Sequence, residues 1–355
     1  MFLHRVRRAL VALAFLLPTL ASAGFTDVLD TPAGMSPLAS KGLLNGVALA
    51  GKRLIAVGQR GHIVYSDDAG STWRQATVPV SSDLVAVSFP TPQQGWAVGH
   101  DGVVLHSSDG GATWERQLDG RRVGPLMVQQ FRAQAARGEL GSTEDATKLI
   151  DEVGRLAAQG AENPFLDVWF ADEHNGFIVG AFNLIFQTTD GGKTWVSWFD
   201  RTENPDRLHL YAVRGVGSDV YIVGEQGLLL KLDHDNHRFH AITTPYKGTY
   251  FGVVGNSDAV IVYGLRGNAY RSTDGGAHWQ SIDTGVEEGL TGSTTFGAQG
   301  LALISQGGNL LVSQDAGAHF ALTRQAKPIP AAAVAMTGDA IVIAGALGVK
   351  TLASH

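Results

Sequence analysis

Five aspartates share one setting in this chain. Asp68, Asp109, Asp190, Asp274 and Asp315 each stand two residues after Ser or Thr, two before Gly and five before an aromatic ring, which is Trp73, Trp114, Trp195, Trp279 or Phe320. Carboxylates repeated at a fixed spacing could bind calcium or supply the paired acids of glycoside hydrolysis. Their neighbours argue otherwise. An Asp flanked by Ser, Gly and Thr accepts hydrogen bonds from the N–H groups of its own turn, the Gly supplies a left-handed backbone, and the terminal ring packs over the hairpin. Oxygens committed to a turn make poor metal ligands and poor bases, so the five boxes are read as parts of the fold.

A second group is His234, His237 and His240, which lie with Asp233 and Asp235 in a sixth copy that has lost both the box Asp and the Gly. Three histidines beside two carboxylates have the chemistry for zinc or copper. Polar replacement in a solvated turn explains them as well, and no metal site is assigned. A glycosidase would need two carboxylates roughly 5–10 Å apart, for which Asp101, Glu203, Asp206 and Glu225 are the available acids. No phosphate-binding loop, dinucleotide fingerprint, zinc-protease motif or serine-hydrolase elbow occurs, and no cofactor is expected.

The elements that must carry the boxes repeat with them. Each box follows an apolar strand, a second strand ending in Gly, a short G-x-x-G turn and a third strand, and a fourth strand comes after it. The second strands end at Gly58, Gly99, Gly180, Gly224, Gly264, Ser305 and Gly345, giving spacings of 41, 81, 44, 40, 41 and 40 residues. Four short strands in about 40 residues is the period of a propeller blade, so an all-β, seven-bladed β-propeller is expected. The seventh unit stops after one more strand, Gly348 to Ala353. Because Phe25 to Pro32 aligns with Phe239 to Pro245 and with Trp73 to Pro79, residues 25–31 are expected to form an outer strand that closes the last blade and covers its edge.

The run V-G-x-x-G-x-(I/V)-(L/Y)-x-S-x-D-G-G-x-T-W is complete from Ala97 to Trp114 and nearly so from Ala56 to Trp73. It resembles the Asp-box (BNR) repeats of sialidases, sortilin-type receptors and the photosystem II stability/assembly-factor family, with the last nearest in pattern. Function does not follow from a scaffold alone. The resemblance implies an exported, non-catalytic assembly or stability factor that binds a membrane-protein complex. Similar proteins are also encoded beside RND-type exporters, which makes such an exporter a second version of that partner. The alternative is a propeller that binds or hydrolyses a glycan, although the F-R-I-P-like sequence of sialidases does not precede Ser66.

Residues 1–23 have a basic head with Arg5, Arg7 and Arg8, an apolar stretch from Ala9 to Leu20 broken by Pro18, and a small-residue end at Ala23. They are read as a signal peptide, with residues 24–355 as the propeller and the periplasm or another exported compartment as its destination. Removing three arginines and no acid takes the formal charge from −6 to −9, which disfavours nucleic acid as a ligand. With no cysteine in the chain, stability must come from packing rather than from disulfides.

Within a blade the G-x-x-G turn emerges on the face opposite the boxes. Its middle residues vary while its frame repeats, which is how repeat proteins build recognition surfaces. Arg60, His100, Asp101, Phe182, Glu225, Gln226 and Arg266 are therefore the candidate partner-binding residues. The 81-residue spacing holds a helical insertion on that face, at about residues 121–163. One helix is expected over residues 125–137, beginning at Pro125 and bounded upstream by Gly120 and Gly124. A second follows the capping Ser142, with Glu144/Lys148 and Asp151/Arg155 as outward pairs. The insertion is expected to dock a partner and to lie outside the folding core.

Overall fold

The computed structural model describes residues 26–338 and 340–353; the expected signal peptide and Phe25 lie outside them. Six sheets have four antiparallel strands in meander order, and the sheet of the last blade has three. The second strands end at Gly58, Gly99, Gly180, Gly224, Gly264, Ser305 and Gly345, as the repeat requires. Five of the seven are buried at every residue, Gly95–Gly99 and Ala340–Gly345 among them. A blade's second strand is covered on both faces by neighbouring blades, so it reads as a continuous apolar run rather than an alternating one. Buried clusters accordingly span blade junctions, as where Ile55, Val57 and Ile63 of blade 1 meet Leu84, Ala97 and Leu105 of blade 2.

The boxes do two structural jobs. In each, the hydroxyl of Ser66, Ser107, Thr188, Ser272 or Ser313 donates to the box carboxylate at 2.7–2.9 Å and accepts the N–H of the glycine four residues on at 2.8–2.9 Å. The same carboxylate oxygen accepts a second backbone N–H, as from Thr72 and Thr113. A box carbonyl then receives a side chain from the preceding blade: Arg53 on Gly110, Gln117 on Gly191, Lys231 on Gly275 and Arg271 on Ala316. Thr351 of blade 7 reaches Gly70 of blade 1 at 3.1 Å in the same way, so this staple also closes the ring.

That closure corrects the expected N-terminal strand. Val28–Asp30 form a single 3-10 turn capped by the Asp27 side chain and add no strand to the sheet that ends with Gly348–Ala353. The capping Asp bends the segment out of extended conformation, and its apolar residue Leu29 is buried between blades 1 and 2. Val28 and Thr31 carbonyls take hydrogen bonds from Ser81, and Asp30 pairs with Arg121 at 2.8 Å. The last blade closes instead by packing its sheet on blade 1, where Val349 and Ala333 meet Val47 and Trp73.

The insertion is also corrected. Helix α1 spans Gly120–Ala136 and α2 spans Thr143–Ala158. Helix α1 starts before Pro125 because Asp119 caps it by accepting the Arg121 N–H. Gly120 does open the insertion, as the first residue of α1, whereas Gly124 lies inside the helix; a Cβ at either would stand 2.5–2.6 Å from Ala161 or Ala157, so both glycines admit the segment that carries α2. Ser142 caps α2 and Glu144 pairs with Lys148 as expected, while α2 ties to the propeller through Glu152 and Arg207 at 2.7 Å. Met127, Phe131 and Val153 are fully buried with Trp96, Phe165 and Phe186. Gln130 both donates to the carbonyl and accepts the N–H of Ser197 at 2.8 Å, acting as a strand partner for the outer edge of blade 3. The insertion begins beside Asp101 and then seals that edge, so α1 belongs to the folding core, whereas α2 buries only Val153.

Candidate binding face and central channel

The G-x-x-G turns form an outer ring on one face. In five blades the middle residue has a left-handed backbone: Arg60, Asp101, Phe182, Gln226 and Arg266, with φ between 52° and 58°. The frame holds them there. Arg60 donates its N–H to Asp83 at 2.7 Å, Phe182 donates its own to His209 Nδ1 at 2.8 Å, and the His209 N–H goes to Glu225 at 2.8 Å. Arg60, His100, Gln226 and Arg266 are exposed, whereas Asp101 and Glu225 are half-buried. Phe182 is 46% exposed although it is apolar, and Leu347 in the corresponding turn of blade 7 is 55% exposed.

An inner ring lies inside this one, and sequence reasoning missed it. Every blade's first strand carries a bulge after its first residue, beside the G-x-x-G turn. The extra residues are Asn45, Val85, Leu166, Tyr211, Phe251, Thr291 and Ala332, and all seven line one central cavity of about 340 Å³. Edge-on aromatic contacts link the rings: Phe182 to His209 at 4.6 Å, His209 to Tyr211 at 6.3 Å and Tyr211 to Phe251 at 5.8 Å. A strip of rings thus runs from the rim into the channel.

The residue after each bulge is Gly46, Ala86, Asp167, Ala212, Gly252, Gly292 or Ala333. Six are small and one is a carboxylate. Asp167 is buried, accepts the Val213 N–H at 2.8 Å and pairs with Arg214. Burial pushes its carboxyl above the usual carboxylate range despite the opposing Arg214 charge. Gly252 has a steric cause, since a Cβ there would stand 2.1 Å from the Tyr263 hydroxyl. Tyr263 thereby reaches the channel and bonds Ser293 at 2.9 Å, and burial holds its phenol up at about 12. Aligning the triplets Leu-Asn-Gly, Phe-Leu-Asp and Leu-Tyr-Ala from residues 44, 165 and 210 would have marked Asp167 as the odd member.

Two of the acids considered for hydrolysis are taken up by neighbouring groups. Glu203 binds His240 at 2.7 Å and the Ala241 N–H at 2.8 Å, Glu225 holds the His209 backbone, and Asp206 is exposed. His240 lies between Glu203 and Asp233, while the His234 ring contacts the Ser218 carbonyl. Among the described residues no group of three or more His, Cys, Asp or Glu is arranged to hold a metal ion. Nor is any helix among them long and apolar enough to cross a membrane.

A family model described as photosynthesis system II assembly factor YCF48 matches residues 41–141 and 153–300. The chain belongs to this family. The photosystem II assembly lipoprotein Ycf48 of Synechococcus sp. (strain CC9902) is 28% identical over 126 residues, covering 34% of this chain and 37% of that protein. The chloroplastic photosystem II stability/assembly factor HCF136 of Oryza sativa subsp. japonica is 27% identical over 85 residues, 24% of this chain and 20% of its own length. The matched stretches therefore span less than two-fifths of either curated relative. Among solved structures, YCF48 bound to D1 peptide has a TM-score of 0.63 at 16% identity, covering 89% of this chain and 94% of that one. YCF48 from Cyanidioschyzon merolae scores 0.60 at 16% identity, covering 90% and 97%. The WD40 propeller domain of Doa1 scores 0.62 at 9% identity over 92% and 97%, so likeness at this level is one of fold. The match to the YCF48 family model interrupts between residues 141 and 153, inside the helical insertion.

Proposed function

We propose that this chain is an exported, non-catalytic assembly factor that holds a polypeptide segment of a membrane-protein complex across the G-x-x-G face. The observation that carries this reading is Phe182. A residue with a Cβ is disfavoured in the left-handed region, and an aromatic ring left in water gains nothing from burial. Phe182 bears both costs at φ 52° and 46% exposure, which makes sense for a side chain kept for contact with something else. Arg60, His100, Asp101, Glu225, Gln226 and Arg266 surround the channel mouth with donors and acceptors for a bound backbone. The solved relative described as bound to D1 peptide supports a peptide ligand, and the curated relatives support a photosystem-assembly type of role. The lipoprotein description of the Synechococcus relative fits export. The comparisons lend nothing to an RND-type exporter, and the reading stops at a membrane-protein complex.

Purification of the tagged chain from detergent-solubilised membranes of its native cell tests this. The expected result is a stoichiometric membrane-protein complex that is lost with Phe182→Asp and retained by the box variant Asp109→Ala. Recovery of the folded chain alone, or retention by Phe182→Asp with loss by Asp109→Ala, overturns it.

A further inference from the structure

We propose that the central channel is a carboxylate-binding site in which Arg214 receives the ligand and Asp167 positions Arg214. The inference goes beyond partner binding at the rim, and its test needs no partner. The room in the channel comes from the sequence: six of seven blades place Gly or Ala after the bulge, where larger side chains would fill the axis. The one departure, Asp167, is committed to its own neighbours. It takes the Val213 N–H and one nitrogen of Arg214, and that same nitrogen also donates to the Val213 carbonyl.

A guanidinium presents five N–H groups in a planar fork. With Nη1 turned to Asp167, Nε and Nη2 of Arg214 have no hydrogen-bond partner among the described residues, and its side chain remains 40% exposed within the channel wall. An edge of this kind fits a second carboxylate in bidentate geometry. Tyr211 lines the channel with a hydroxyl that has no hydrogen-bond partner among the described residues, and Tyr263 and Ser293 offer a hydroxyl pair beside it. A cation finds no spare carboxylate here, because among the described residues the only acid lining the channel is Asp167. A carboxylate could arrive on a small free acid or as the acidic side chain or C-terminus of a peptide entering from the rim.

Isothermal titration of the exported chain with three probes separates these sources. They are succinate, an amide-capped Gly/Ser heptapeptide with one central Glu, and the matching Gln peptide with a free C-terminus; the capped Gln peptide is the blank. At least one acid is expected to bind while the blank does not. Succinate alone would indicate a free acid, and either peptide a partner segment. Arg214→Gln should weaken binding tenfold or more, and Ala86→Leu, which fills the channel and leaves the ion pair intact, should abolish it with an unchanged melting temperature. If Arg214→Gln unfolds because Asp167 is stranded, the Asp167→Asn/Arg214→Gln pair replaces it. No binding of any acid at millimolar concentration, or equal binding by wild type and Ala86→Leu, overturns the site. Partner retention in the Phe182→Asp experiment is read separately, so either reading can fail alone.

Discussion

The two ends of the propeller are made from the same repeat and use its polar groups in opposite ways. At the box end each aspartate is consumed by its own turn. Hydrogen bonds from the Thr72 hydroxyl and N–H hold Asp68 down at about 2, and Asp274 and Asp315 are held below the usual range by the N–H and ring of His278 and His319. Burial acts against Asp109 and Asp190, yet their turn hydrogen bonds still keep both below the usual range. At the other end the G-x-x-G turns fix the backbone through neighbours such as Asp83 and His209 and leave Arg60, His100, Gln226 and Arg266 exposed. The contrast teaches that a repeated motif marks function least where it is most regular. Chemistry is to be sought where the frame persists and the side chain changes.

The largest effect is expected at helix α1, which packs into the core instead of standing outside it. Phe131 is fully buried against blade 3, so Phe131→Ala should cost about 3–5 kcal/mol through lost burial and a residual cavity. Denaturant unfolding checks it. A loss below 1 kcal/mol would return α1 to the docking face. Next comes the box itself. Ser107→Ala removes a buried hydroxyl that accepts the Gly111 N–H at 2.8 Å and donates to Asp109, and should cost about 1–3 kcal/mol. Partner retention by this variant should be unchanged once it is folded.

Acid should separate the ends further. A carboxylate held below its ordinary value of 3.8 contributes stability that is present above that value and lost as pH falls through the folded-state value. For Asp68, held at about 2, that window runs from about pH 4 down to 2, and the other four boxes add to it in the same direction. Melting temperature by calorimetry should drop steeply there, and Asp68→Asn should flatten its part of the drop. Asp200 has the opposite sign. Burial raises it and its Oδ1 has no partner, so it opposes folding as pH rises through its raised value. Asp200→Asn should therefore raise the melting temperature at neutral pH and leave it unchanged near pH 2.

Blade number, strand ends and box chemistry were legible because each is local: Gly58, Asp109 and Trp114 are read from neighbours within a few residues. The misreadings are all questions of which distant surface a segment meets. Residues 26–31 resemble an outer strand, but Asp27 capping and Leu29 burial send them to blades 1 and 2. Gly124 resembles a boundary but lies inside α1, and only the approach of Ala157 shows why it is glycine. On the turn face the outer ring followed from the G-x-x-G repeat. Arg214 and Asp167 did not, because a bulge turns the register of the first strand and brings residues of two adjacent blades side by side in the channel wall.

The smallest effect on the fold should accompany a large one on binding, at Phe182. Its left-handed backbone costs a residue with a Cβ about 1–2 kcal/mol, which Phe182→Gly removes. The same change gives up the edge contact with the His209 ring, worth about 0.5–1.5 kcal/mol, and adds chain entropy to the unfolded state. These contributions oppose one another, so stability should stay within about 1 kcal/mol of wild type, while the rim loses its one exposed aromatic ring at the head of the strip leading to Tyr211 and Phe251. Denaturant unfolding and retention of the membrane complex, measured on one preparation, decide it. Equal stability with loss of the complex sets the turn end apart as the functional one, whereas a fall of 2 kcal/mol or more with the complex retained would make Phe182 as structural as any box residue.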